Sequence, residues 1–232
     1  MSLFDLRRVP EPEAMDDSAE VDAYASAAAQ KHLTRMDGTF VDHALRLLHG
    51  RERGRALDIG AGPGQIALHL ARRLTLWKFS GVDRSAKMIE QAQANLGAAN
   101  EVAGRVEFHV GDANRLEFPD SAFDFVMCNS VIHHLAEPQR LLAEVARVAK
   151  PTAAVLLRDL RRPGRLSYPF HVRWHGRHYS GAMYKLYLDS VRATYTVPEL
   201  RAMLDASPLR GAQVFTCHTT YLGIERPQRS GS

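Results

Sequence analysis

The chain has 232 residues, of which 45% are apolar and 24% charged, with a formal net charge of +4. This is an ordinary composition for a globular protein, long enough to bury roughly 70% of its unfolded surface around one core with attachments. No apolar run approaches the ~20 residues that span a bilayer, and Arg7, Arg8, Glu11 and Glu13 interrupt the N-terminus where a signal peptide needs an apolar core, so a cytoplasmic protein without a membrane partner is expected.

Residues 1–15, with Pro10 and Pro12 among charges, read as a flexible lead. Asp17-Ser18-Ala19-Glu20 has capping-box spacing and opens a helix carrying Val21, Tyr24, Ala25 and Ala28. Asp37-Gly38 is expected to break that helix. A second helix places Val41, Ala44, Leu45 and Leu48 on one face, and Gly50 follows near its end. From Arg55 the rhythm changes, and short apolar strands alternate with helices. The strands are Ala56 to Ile59, Phe79 to Asp83, Val106 to Asp112, Phe123 to Asn129 and Ala153 to Leu160. The helices between them carry Ile66, Leu70 and Leu74; then Met88, Ile89, Ala92 and Leu96 after the capping residue Ser85; then Leu141, Leu142, Val145 and Val148 after Pro138, stopping at Lys150-Pro151.

Residues 161–195 depart from the alternation and are rich in Arg, His and Tyr. Tyr184, Tyr187, Leu188 and Val191 mark a helix there. Thr196 and Glu199 form another capping box, and Gln213–His218 with Tyr221–Glu225 reads as a hairpin. Cys128 and Cys217, each in an apolar run, read as small core hydrophobes and not as a disulfide or a thiolate metal site. Charge is uneven: residues 151–232 hold 12 Lys+Arg against 5 Asp+Glu, a net of +7, and the first 150 hold 18 against 21. No cationic block reaches five residues, so nucleic acid is not the expected partner, although a basic C-terminal third would suit one.

Alternating strands and helices imply a parallel sheet with right-handed crossovers. Ligands in such sheets bind beyond the carboxyl ends of the strands, which singles out Asp58, Asp83, Asp112, Asn129 and Asp159. The first strand ends in Gly60-Ala61-Gly62-Pro63-Gly64, a sharp turn that lets a ligand approach the backbone at the positive end of a helix. The dinucleotide fingerprint G-x-G-x-x-G is not met, because its sixth position is Gln65.

Leu57-Asp58-Ile59-Gly60-Ala61-Gly62-Pro63-Gly64 resembles the first motif of the class I S-adenosylmethionine-dependent methyltransferases, of the type 11-like small-molecule kind. Gly81-Val82-Asp83-Arg84-Ser85, Gly111-Asp112-Ala113 and Phe123 to Asn129 followed by Val131-Ile132-His133-His134-Leu135 resemble the next three. Leu141 to Pro151 resembles the helix that ends in Lys-Pro-Gly-Gly, although Thr152-Ala153 replaces the two glycines. The resemblance implies a Rossmann-like, doubly wound α/β fold with a seven-stranded sheet, mostly parallel, and an antiparallel strand from the C-terminal hairpin. On this reading residues 1–50 form a helical lid, 51–160 the cofactor-binding core, 161–195 a helical substrate cap, and 196–232 the last helix and hairpin. The implied cofactor is S-adenosylmethionine. The backbone at Gly60, Ala61, Gly62 and Gly64 would pass its methionine moiety, and Asp58 would orient the ammonium. Asp83 would hold the ribose and Asp112 with Ala113 the adenine, and Arg84 and Met88 are further cofactor-binding candidates. Asn129 and Ser130 would lie near the sulfonium, with Tyr24 and Phe40 closing the site.

The sulfonium activates its own methyl group, so the protein must mainly align the reactants and exclude water. His133 and His134 follow the fourth strand and are the catalytic candidates. Arg158 and Asp159 end the fifth strand and are substrate-binding candidates, with His171, His175, Tyr179 and Tyr184 of the cap. His171, His175 and His178 are spaced to share one helical face, which suits either a metal or a cationic surface; no metal is expected. The Arg/His-rich cap leans toward an anionic or aromatic small-molecule acceptor. RNA methylation, a non-catalytic cofactor- or partner-binding role and a nicotinamide dehydrogenase are the alternatives. Oligomeric state and the atom methylated stay open.

Overall fold

A computed structural model describes residues 6–11 and 27–228; the Asp17 capping box and Tyr24 lie outside the described residues. The elements are α1 (Ala27–Leu47), β1 (Arg53–Ile59), α2 (Gln65–Arg73), β2 (Leu76–Asp83), α3 (Ala86–Gly97), β3 (Val106–Val110), β4 (Phe123–Asn129), α4 (Pro138–Val148) and β5 (Ala149–Leu160). There follow α5 (Tyr168–His175), α6 (Gly181–Ala193), α7 (Val197–Asp205), β6 (Gln213–Cys217) and β7 (Tyr221–Arg226). The described strands form one seven-stranded sheet in the order β3-β2-β1-β4-β5-β7-β6. The first five are parallel, and β7 runs antiparallel to both β5 and β6.

The central strands are apolar on both faces because helices cover both. Successive residues point to opposite sides. Ala56, Phe125 and Leu156 pack with Phe40, Val41 and Ala44 of α1 and Ile66 and Leu70 of α2. Leu57, Val126 and Leu157 pack with Leu141 and Val145 of α4 and Leu200 of α7. Each of these larger side chains is almost wholly removed from water, which stabilises the fold by roughly 1.5–3 kcal/mol apiece. The chain leaves β1 toward β2 and β3, then returns to β4 and β5 on the other side. The crevice beyond the carboxyl ends of β1 and β4 is therefore the place where a ligand fits.

Four expectations are corrected. Asp37-Gly38 does not break a helix: α1 runs through both. A glycine in a helix costs only about 1 kcal/mol, and the burial of Phe40, Val41 and Ala44 just beyond it outweighs that. Strand β3 stops at Val110, and Asp112 sits in a turn, its Oδ1 accepting from the Asn114 N–H at 2.8 Å. Strand β5 starts at Ala149, directly from α4, without a turn at Lys150-Pro151. Finally, residues 6–11 are a docked strap and not a loose lead. Arg8 Nε donates to the Ala193 carbonyl at 2.6 Å, and Val9 N to the Arg192 carbonyl at 3.1 Å. The Arg8 guanidinium also lies 4.3 Å from the centre of the Tyr195 ring.

Candidate active site

The loop after β1 is stitched to β2: the N–H groups of Gly60 and Ala61 both donate to the Val82 carbonyl, at 2.8 and 2.9 Å. Gly60, Gly62 and Gly64 all have positive φ, of 69°, 52° and 79°. Their surroundings differ. A Cβ on Gly60 would strike the Val131 side chain, whereas one on Gly62 would meet nothing within 4 Å. Gly62 faces open space, and that space is a cavity of about 580 Å³ lying over the carboxyl ends of the strands. Gly64 sits over the Phe108 ring and opens α2, so it serves the turn.

Three carboxylates gather beneath this loop. Asp83 accepts from the N–H groups of Gly62 at 2.8 Å and Ser85 at 2.9 Å, and burial still raises its pKa. Asp58, on β1, is 2% exposed and its Oδ2 has no partner. Burial, with Asp37 and Asp83 nearby, pushes its pKa up to about 8. Asp37 on α1 is raised to about 6, again by burial. A buried acidic cluster with an unpaired oxygen is costly unless a cation joins it.

The cavity continues past Asn129 and Ser130 to His133 and His134. Ser130 takes a left-handed φ of 60°, uncommon without glycine. Its N–H donates to the Arg158 carbonyl at 2.8 Å, which holds the turn. His133 is almost fully buried. Its backbone N–H and its Nδ1 meet the two oxygens of Asp159, at 3.0 and 2.7 Å. Asp159 Oδ1 also accepts from the Leu160 N–H at 2.7 Å. With three donors on the carboxylate, Nδ1 carries the proton in the neutral ring, and Nε2 is the acceptor nitrogen. Burial pulls the His133 pKa down, but Asp159 and Glu11 more than offset it and the net shift is upward. Glu11 Oε2, from the strap, lies 3.6 Å from His133 Nε2 and 3.5 Å from His134 Nδ1. Among the described residues, these three side chains are the group close enough to share a metal ion, their ligand atoms all within 4.8 Å of one another.

The cavity wall includes most of the residues expected there: Gly60, Gly62, Asp83, Arg84, Met88, Asp112 and Ala113 toward β1–β3, Asn129, Ser130, His133 and His134 after β4, and His175 and Tyr179 in the cap. Others stand behind the wall. Ala61 and Gly64 belong to the loop but are off the wall, and Asp58 lies beneath it. Arg158 is 1% exposed and serves packing: it donates to Asn129 Oδ1 at 2.9 Å, to Thr39 Oγ1 at 2.7 Å and to the Met36 carbonyl at 3.1 Å. Asp159 orients His133 and does not face the cavity. Tyr184 packs with Val172 and Tyr187. His171 is also off the wall; its ring stacks on His175 with centroids 4.6 Å apart.

The shared three-histidine face does not form, because α5 ends at His175 and His178 falls in a separate 3₁₀ turn, Gly176–His178. Burial lowers the pKa of His171 to about 4 and lowers that of His175, so this pair is neutral near pH 7 and is no cationic surface. Sequence reasoning missed the strap and the β6–β7 turn, where His218, Thr219, Thr220 and Tyr221 line the cavity. Neither segment carries a periodic signal; the polar His-Thr-Thr at the hairpin tip was the only cue.

Residues 57–157 match the family described as a methyltransferase domain. That stretch is less than half of the chain, and it resembles a methyltransferase domain over the strands that wall the cavity. The chain is 35% identical over 135 residues to the uncharacterized methyltransferase YcgJ of Bacillus subtilis, covering 53% of this chain and 52% of that protein. It is 31% identical over 134 residues to 27-O-demethylrifamycin SV methyltransferase of Amycolatopsis mediterranei, covering 58% and 47%. The chain thus spans about half the length of these curated relatives. In structure it resembles a SAM-dependent methyltransferase from Aquifex aeolicus, with a TM-score of 0.61 at 22% identity over 80% of this chain and 87% of that one. The methyltransferase cofactor fits the site. It carries an ammonium and a sulfonium, and the domain offers the unpaired Asp58 oxygen and an open Gly62 backbone beside Asp83.

Proposed function

We propose that the protein transfers the methyl group of S-adenosylmethionine to a small-molecule acceptor by direct in-line displacement. The observation that carries this reading is a single cavity with two unlike ends. One end has the open glycine backbone, Asp83 and Asp112; the other has His133 and aromatic side chains from the cap. When bound, the cofactor supplies an activated methyl whose sulfur leaves as a neutral thioether. The chain then has to orient and to exclude water, and alignment alone supplies up to ~7–11 kcal/mol in favourable systems.

On this reading the Gly60–Gly62 backbone meets the methionine moiety and Asp58, behind it, its ammonium. Asp83, with Arg84 and Met88, holds the ribose and Asp112 with Ala113 the adenine. Asn129 and Ser130 border the methyl. His133, fixed by Asp159 and with its Nε2 turned to Glu11 of the strap 3.6 Å away, borders the acceptor with His134 beside it. The name of the rifamycin relative supports a small acceptor. Trp174, Tyr179, Tyr187 and Tyr221 on the wall favour an aromatic one. Arg162, by contrast, is committed to Glu199 and to the Thr194 carbonyl and is not free for an anion.

The test is calorimetric titration with S-adenosylmethionine and S-adenosylhomocysteine. Wild type is expected to bind both in the micromolar range, and Asp83→Ala to bind at least tenfold more weakly, since a charge-assisted hydrogen bond is worth about 1.5–3 kcal/mol. No binding by folded wild type would remove the reading.

A further inference from the structure

Among the described residues, the three most exposed large apolar side chains are Leu166, Phe170 and Trp174, at 71%, 76% and 65%. They recur every four residues through the turn at 165–167 and along α5, so they lie on one side of it. Val172, on the opposite side, is buried against Tyr187 and Val191. Helix α5 therefore buries one face as a helix should and turns a second apolar face to water. Scattered surface hydrophobes need no explanation, but three in one row do.

The charge around the row is one-sided. Residues 161–188 contain six Lys+Arg and no Asp or Glu. Arg165, Arg173, Arg177 and Lys185 are all exposed. The Arg177 guanidinium lies 4.2 Å from the centre of the Trp174 ring, and its Nη1 donates to the Trp174 carbonyl at 3.0 Å. Trp174 and Arg177 also line the cavity, so the row runs up to its mouth.

We propose that this side of α5 rests on an anionic lipid surface, with Leu166, Phe170 and Trp174 at the acyl boundary and Arg165, Arg173 and Arg177 among the headgroups. An apolar row alone would suit many partners. A segment, residues 161–188, with six cations and no acid suits a surface that is negative throughout, and an amphipathic tryptophan sits well at a lipid–water boundary. This is a helix lying on a membrane; no described helix is long and apolar enough to cross one.

The chain itself carries the probe. Of its two tryptophans, Trp77 is fully buried and Trp174 is exposed, so a change in emission on adding lipid reports Trp174. The full chain is titrated with vesicles of phosphatidylcholine alone and of phosphatidylcholine mixed equally with phosphatidylglycerol. The expected result is a blue shift with the mixed vesicles, quenching by lipids brominated in the acyl chain, and loss of both in high salt. Leu166→Ser/Phe170→Ser and Arg165→Glu/Arg173→Glu change exposed side chains off the cavity wall. Each is expected to weaken vesicle binding at least tenfold while leaving the affinity for S-adenosylmethionine within twofold, which also shows that the variant is folded. No shift with mixed vesicles, equal binding to neutral ones, or full binding by the serine variant would overturn the proposal. So would a dimer of the free protein that the serine variant abolishes, without vesicle binding, since that would assign the row to a second copy. Cofactor affinity is read separately, so failure here leaves the methyl-transfer reading standing.

Discussion

On the proposed reading, Asp58 serves a ligand at the expense of the free fold. Its pKa is raised from the ordinary carboxylate value to about 8, chiefly by burial. The folded state therefore binds a proton that the unfolded state has already released above pH ~4. The stability from this group is fully present below the unfolded value and is lost as pH rises toward 8. Asp58→Asn keeps the shape and removes the charge. Its melting temperature is expected to match wild type near pH 3.5, below the unfolded value, and to exceed it at pH 9, while S-adenosylmethionine binding weakens at least tenfold. Thermal scans at the two pH values, with one titration, check both halves; a variant less stable than wild type at pH 9 would contradict the account. His133 belongs to the other end of the cavity. His133→Ala is expected to lower kcat about a hundredfold, within the usual range for a positioned proton-handling group, with cofactor affinity within twofold. Equal loss of cofactor affinity would make its role structural.

At the scale of elements, Arg158 joins three pieces. It leaves β5, bonds Asn129 at the end of β4, and reaches Thr39 and Met36 on α1. Its guanidinium also lies between the rings of Phe40 and Tyr221, 4.9 and 4.6 Å from their centres. Arg158→Leu strands buried acceptors, at a cost of roughly 3 kcal/mol. The expected fall in melting temperature is about 6–12 °C at this chain length, with the fluorescence or calorimetric midpoint as the readout. The sequence made Arg158 a substrate candidate because it ends a strand at the binding edge, and position along a strand does not reveal which face a side chain takes when both are buried. The same limit hid the role of Asp159. By contrast, the five parallel strands and the glycine loop were legible, because periodicity and turn chemistry are local. The break expected at Asp37-Gly38 was a local reading that tertiary packing overrode. The strap at residues 6–11 has no local signature, since its contacts lie more than a hundred residues away.

For the whole molecule, the cavity draws on β1, β2, β4 and the turns after them, so on the proposed reading a bound cofactor braces the sheet as a unit. At a hundredfold excess over Kd, ligand linkage contributes ~2.7 kcal/mol. That corresponds to a rise of about 5–11 °C in melting temperature with S-adenosylmethionine. Nicotinamide dinucleotides should give none, since Gln65 stands where their fingerprint needs a glycine. A dye-based melting series with both ligands decides between them.

The place of β7, antiparallel between β5 and β6, has a kinetic consequence. A strand in that slot cannot be added until residues beyond 221 are available, so the hairpin closes the sheet late. Until then β5 presents an unpaired apolar edge, the kind of surface on which chains stick to one another. The hairpin turn also supplies His218 to Tyr221 to the cavity wall. During synthesis or refolding, the glycine loop and Asp83 can therefore assemble first, and the acceptor end of the cavity is finished only when the last pair of strands docks.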